Sequence, residues 1–169
     1  MINEKKYKVL LLIGNKLWNW NTVVDFKKSN LNIAGVCVYD NSFLGLPINV
    51  IWKNLKKKGI FVVIDQILGR IFYKMINFLS DKERLEKIFN IKECKNIKKN
   101  IKEPLYFTKS YNDQKTLNWI EELNPDIIIV HSDGWVGKSI RNISSLKLII
   151  GGHPGITPNY RGAHSPFWA

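Results

Sequence analysis

Apolar residues come along this chain in short aliphatic runs separated by amphipathic stretches. Val9 to Ile13 is one such run behind a basic start, the pattern of a strand buried on both faces of a parallel sheet. Gly14 then opens a loop, Val23 to Lys28 predicts a short helix, and Ile33 to Tyr39 is a second, β-branched strand. Asp40-Asn41-Ser42 closes it, because these side chains bond their own backbone in turns. From Leu46 to about Asn90 the pattern becomes helical, and Gln66, Arg70, Lys74 and Asn77 share one stripe among apolar neighbours. That predicts an amphipathic helix packed on the sheet, with a basic helix lying on a membrane surface as the other reading. Ile91 to Lys102 mixes Lys and Asn with single isoleucines and reads as a solvated connection.

The second half alternates more regularly. Tyr106 to Thr108 predicts a short strand, and Asn112-Asp113 caps a helix that runs to about Leu123 and stops at Asn124-Pro125. Asp126 leads into Ile127 to Val130, the clearest strand pattern in the chain, and the helix before it supplies the crossover that a parallel partner needs. A loop at His131 to Val136, a short helix near Gly137 to Ile143 and a strand at Leu146 to Ile150 complete a second crossover. The alternation predicts an α/β fold: a Rossmann-like, doubly wound, mostly parallel sheet in a single domain over residues 1–169.

Composition narrows the partners more than the fold. With 169 residues and 45% hydrophobic side chains, the chain is long enough to bury a core of its own. The net charge of +12 draws phosphates, nucleic acid or anionic lipid toward the surface whatever the fold. The lysines arrive with many Asn and Ile, which codon bias toward AT-rich triplets also produces. Lys56, Lys57 and Lys58 read as a solvated helix end beside Gly59, where positive charge complements the helix dipole. Cys37 and Cys94 belong to no C-x-x-C pair, so neither a metal site nor a redox dithiol is expected, and a reducing cytoplasm fits. The run from Val9 to Ile13 is too brief for a signal peptide, and Gly59 to Leu79 contains Asp65, Arg70 and Lys74, so no membrane span is expected. No G-x-G-x-x-G follows Gly14, which speaks against a nicotinamide or flavin.

In an open parallel sheet, ligands bind beyond the carboxyl ends of the strands. Two loops qualify: His131-Ser132-Asp133-Gly134-Trp135-Val136, and the dense stretch GGHPGITPNYRGAHSPFWA from Gly151 to Ala169. Pro154, Gly155 and Pro158 restrict the backbone that presents His153 at the mouth of the sheet.

The second stretch resembles the active-site segment of the formyltransferase superfamily, which includes methionyl-tRNA, glycinamide ribonucleotide and amino-sugar formyltransferases. Asn112-Asp113, Asn124-Pro125-Asp126 and the loop at Gly134 look like the family's equivalents upstream, so the likeness is specific from about Asn112 to Ala169 and architectural before that. The resemblance implies transfer of a formyl group from 10-formyltetrahydrofolate to a primary amine. It makes His153 the catalytic histidine, and gives the backbone of Asp133, Gly134, Trp135 and Val136 to the pteridine. Thr157, Tyr160, Arg161, Gly162 and His164 fall to the acceptor loop. Such a reaction needs a neutral amine, a donor for the tetrahedral oxyanion and a group that handles protons. The residues after Arg161-Gly162 look closer to the subgroup acting on small amines, including nucleotide-linked amino sugars, than to the tRNA enzymes.

Two departures from the family pattern stand out. Gly151 occupies the position of the family Asn and has no side chain to donate to an oxyanion, a loss that typically slows turnover about a hundred- to a thousandfold. The family Asp has no counterpart before Ala169, and Ser165-Pro166 is a helix-start signal three residues from the last one, so a fragment truncated at Ala169, incomplete at the carboxyl end of the sheet and inactive alone, is expected. A catalytically dead folate- or nucleotide-binding module is the rival reading. A basic nucleic-acid-binding module is the third, and it requires a steep salt dependence of binding.

Overall fold

Leu10, Leu11, Leu12 and Ile13 have no exposed surface at all, and they lie in β1 (Lys8–Gly14), the centre of the sheet. The structure is a computed structural model, and it describes residues 7–40, 42–43 and 46–152. A single 3-10 turn, Leu17–Trp20, leads into α1 (Asn21–Lys28), and β2 (Asn32–Tyr39) follows. A two-residue ladder between β3 (Ser42–Phe43) and β4 (Leu46–Pro47) precedes α2 (Ile48–Lys58), α3 (Ile60–Ile88) and α4 (Ile91–Asn100). Then come β5 (Leu105–Thr108), α5 (Gln114–Leu123), β6 (Ile127–His131), α6 (Lys138–Arg141) and β7 (Leu148–Gly151).

The five long-range strands form one sheet in the order β5-β2-β1-β6-β7, and every pair in it is parallel. Successive residues of β1 point to opposite faces, so Val9, Leu11 and Ile13 meet one layer of helices while Leu10 and Leu12 meet the other. The first layer is built from Trp20, Val23 and Val24 before and within α1 and from Cys94 of α4. The second is built from Leu117 and Ile120 of α5, Ile140 of α6, and Tyr111 and Ile143 from the loops beside them. Each fully buried aliphatic side chain contributes about 1.5–3 kcal/mol, which is why a continuous run can specify the central strand. The expected α/β, Rossmann-like, doubly wound sheet is present, and it is wholly parallel.

Two expectations about the middle of the chain need correcting. The helical stretch is two helices joined at Gly59, whose φ of 86° turns the chain sharply between them. α3 packs chiefly on α2, not on the sheet, with the Asn54 side-chain amide donating to Gln66 Oε1 at 3.0 Å, and Val63 is its buried residue among the described ones. The reason is that both faces of β1 and its neighbours are already covered by other helices. Residues 91–100, expected as a solvated connection, form α4 instead. The Asn90 side chain caps it by accepting from the Glu93 N–H at 3.2 Å, and buried Cys94, with the half-buried Ile97 and Ile101 after it, holds it on the core. Smaller differences lie at the ends: α6 is confined to Lys138–Arg141, and β7 begins at Leu148 and extends to Gly151.

Candidate functional site

Because all five strands run the same way, their carboxyl ends share one edge. The chain moves outward from β1 to β2 and β5, then returns to the other side of β1 as β6 and β7. The order therefore reverses between β1 and β6, and the crevice above that point is where an open α/β sheet offers a ligand site. Asn15, which follows β1, the loop after His131 and the end of β7 at Gly151 border it.

The loop after β6 is held by two residues ahead of α5. The Tyr111 hydroxyl lies 2.8 Å from Ser132 Oγ and 3.2 Å from the Ile13 carbonyl oxygen, joining α5's leading turn to β6 and β1 at once. Burial pushes the ionisation of this phenol far up, so it remains a neutral hydroxyl. Asn112 grips the loop farther along: its side-chain amide donates to the Trp135 carbonyl at 2.8 Å and its oxygen accepts from the Gly137 N–H at 2.7 Å. A Cβ on Gly134 would overlap the ring edge of Tyr111, and one on Gly137 would overlap the Asn112 side chain, so both glycines are needed for this close approach.

Asp113 anchors these two residues to α5. Its Oδ1 accepts from the Thr116 N–H at 2.9 Å, and its Oδ2 accepts from the hydroxyls of Thr108 and Thr116 at 2.9 and 2.8 Å. Desolvation opposes ionisation there, but the bonds from Thr116 and Thr108 outweigh it and hold the carboxyl below its usual range. On the β1 side, the Asn15 N–H donates to the Tyr39 carbonyl at 3.1 Å and its side-chain amide donates to Asp40 Oδ2 at 2.8 Å. Lys98 from α4 donates to Asn15 Oδ1 at 3.0 Å, so a cation sits beside the loop that follows β1.

The predicted residues of the first loop separate by environment. Asp133 is exposed and Trp135 is 77% exposed, whereas Val136 packs against the core layer that contains Tyr111. His131 Nδ1 is 2.5 Å from Thr22 Oγ1, so this histidine is engaged with α1 and not with Asp133. The Gly134 N–H is directed to Ser132 Oγ at 3.3 Å, and the Trp135 carbonyl is taken by Asn112. Among the described residues, the backbone groups of Asp133 and Val136, the Gly134 carbonyl and the Trp135 N–H make no such bonds. Gly151 ends β7 beside Val130, and among the described residues a Cβ there would meet only Val130 Cβ at 3.7 Å, so a side chain has room beside them. His153, Thr157, Tyr160, Arg161, Gly162 and His164 lie outside the described residues.

The pattern of hydrophobic and polar positions did not single out Tyr111 or Ser132. Asn112 was legible as a cap and as part of the upstream resemblance, but not as the residue that grips the 134–137 loop; Asp113 is the capping residue. Among the described residues, no three His, Cys, Asp or Glu side chains gather to hold a metal ion, and no helix is long and apolar enough to cross a membrane. No family model matches the chain, and no curated protein matches it.

Proposed function

We propose that this chain is part of an enzyme that transfers a formyl group from 10-formyltetrahydrofolate to a primary amine on a small acceptor, with a nucleotide-linked sugar as one class. The observation that carries the reading is the string from Gly151 to Ala169, which resembles the formyltransferase active-site segment and starts on the last residue of β7. The pairing of β6 with β7 supports the reading, since the 131–136 loop follows the first and the string begins at the end of the second.

In this reading the pteridine lies against the backbone of Asp133 to Val136, where the groups of Asp133 and Val136, the Gly134 carbonyl and the Trp135 N–H are not used internally. Tyr111 and Asn112 hold that loop and do not touch the ligand. His153 assists the oxyanion and the proton transfer as amine nitrogen bonds to the formyl carbon and the folate nitrogen leaves. Tyr160, Arg161 and the loop through His164 meet the acceptor, the guanidinium suiting an anionic group such as a phosphate.

A second reading, a folate-binding module without turnover, is favoured by Gly151, which cannot supply the side-chain donor expected at its position. The test is formyl transfer by the full-length protein with 10-formyltetrahydrofolate and a panel of amines, alongside His153→Ala and Gly151→Asn. Turnover that His153→Ala abolishes supports the enzyme. Folate binding without turnover, restored by Gly151→Asn, supports the module, and absence of both binding and turnover removes the family reading altogether.

A further inference from the structure

α3 leaves a large apolar face open. Phe61 is 84% exposed, Met75 75% and Phe72 66%, and Ile60, Ile64 and Leu68 are exposed with them. At the rotation of an α-helix these six positions fall within an arc of about 120°, a stripe about 22 Å long from Ile60 to Met75. Gln66, which bonds Asn54 of α2, lies on the opposite side, and the buried Val63 lies outside the arc. Among the described residues, the stripe is turned away from the rest of the molecule and no helix or strand closes over it.

The charge around the stripe decides what covers it. Residues 48–76 carry six cations, Lys53, Lys56, Lys57, Lys58, Arg70 and Lys74, against the single acid Asp65. Lys53 and the three consecutive lysines at the end of α2 are exposed, and they stand one glycine away from Ile60 and Phe61. Trp52, 58% exposed, adds an indole beside them. A second copy of the chain would bring the same cationic hairpin and the same +12 charge against its own kind. An anionic lipid surface instead offers headgroups to the lysines and an acyl boundary to the phenylalanines, which is how a basic amphipathic helix binds in the interface plane without spanning it. Tryptophan at the boundary suits the same depth.

We infer that the α2–α3 hairpin is a docking surface for an anionic membrane, with the Ile60–Met75 stripe entering the acyl boundary and Lys53 and Lys56 to Lys58 on the headgroups. This inference does not depend on the formyl-transfer reading. A membrane-bound chain would work on its substrate at the bilayer surface.

The test is flotation of the full chain with vesicles of phosphatidylcholine mixed with phosphatidylglycerol, compared with vesicles of phosphatidylcholine alone. Binding is expected to the first and not to the second, and to weaken as salt is raised. Neutralising three lysines as Lys56→Gln, Lys57→Gln and Lys58→Gln is expected to reduce partitioning about a hundredfold, from the usual contribution of a cation near an anionic bilayer. Phe61→Ser with Phe72→Ser is expected to abolish it while far-UV circular dichroism is unchanged, since both side chains are exposed. Failure to float with anionic vesicles overturns the inference, as does binding that survives both sets of substitutions. Light scattering that shows a dimer, converted to monomer by Phe61→Ser with Phe72→Ser, also overturns it and gives the stripe to a second copy.

Discussion

Tyr111 and Ser132 are joined by a hydrogen bond of 2.8 Å across 21 residues of sequence, and this bond ties the approach to α5 to the loop that leaves β6. The same hydroxyl reaches the Ile13 carbonyl, so it bridges the two strands at which the sheet order reverses. Tyr111→Phe keeps the ring that packs under Gly134 and removes only the hydroxyl. The expected loss is about 1 kcal/mol, a fall in melting temperature of roughly 2–4 °C for a chain of this size. A thermal melt that is unchanged would show that the bridge does not hold the loop.

How far such relationships are legible beforehand depends on whether the signal is local. β1 and β6 stand out because a strand covered on both faces must be aliphatic at every position, and Val9 to Ile13 and Ile127 to Val130 meet that demand. α5 stands out because Asp113 and Asn124 mark its ends chemically, one as a cap and the other in the left-handed region at φ 49°. α4 does not, because its one buried residue is a cysteine among lysines and asparagines and the isoleucines beside it are only half-buried. Periodicity shows that α3 has an apolar face but not what lies against it, which is why its expected place on the sheet differs from its packing on α2. The Tyr111 bridge and the Asn112 grip join residues more than twenty apart, and only the fold brings them together.

Asn112 makes two bonds to the 134–137 loop, and Asn112→Ala leaves the Trp135 carbonyl and the Gly137 N–H without their partner. A loss of about 1–3 kcal/mol is expected from the two orphaned groups. Hydrogen exchange should accelerate at residues 133–137 and remain slow in β1 and β6, because the loop opens locally while the sheet does not. Folate affinity should fall with it if Asp133 and Val136 offer the ligand their backbone. Equal acceleration throughout the sheet would mean that Asn112 supports the whole domain.

Asp113 has a folded-state carboxyl held below the usual range, and its unfolded value is about 3.9. A depressed acid adds stability that is fully present above its unfolded value and is lost as pH falls through the folded one. Asp113→Ala should therefore cost about 1 kcal/mol at neutral pH as a lost helix cap, with the difference from wild type shrinking below about pH 4. Urea midpoints of both proteins measured across that range check the sign. A gap that widens on acidification would contradict the assignment.

Cys37 is buried in the central layer, and burial pushes its thiol up to about 12. Cys94 is buried under α1, and desolvation raises its thiol as well. Since the thiolate is the reactive form, neither should react with a disulfide reagent at mildly alkaline pH until the chain unfolds. Stoichiometric labelling should then appear in denaturant. Rapid labelling of the native protein would place one of them on an open surface.

Gly134 and Gly151 both sit at the carboxyl edge of the sheet, but their surroundings differ in a way that a single methyl group reads out. At Gly134 a Cβ meets the Tyr111 ring at 2.8 Å and Tyr39 at 3.1 Å, so Gly134→Ala must displace one of two packed aromatic rings. Overpacking of that kind destabilises by about 1–3 kcal/mol. At Gly151 the nearest atom is Val130 Cβ at 3.7 Å, an ordinary contact, so Gly151→Ala should change stability by less than about 0.5 kcal/mol. Urea denaturation of the pair separates a glycine required by packing from one that leaves space for a side chain. If Gly151→Ala proves as damaging as Gly134→Ala, a larger residue cannot be accommodated at the end of β7, and Gly151→Asn could not restore a donor there.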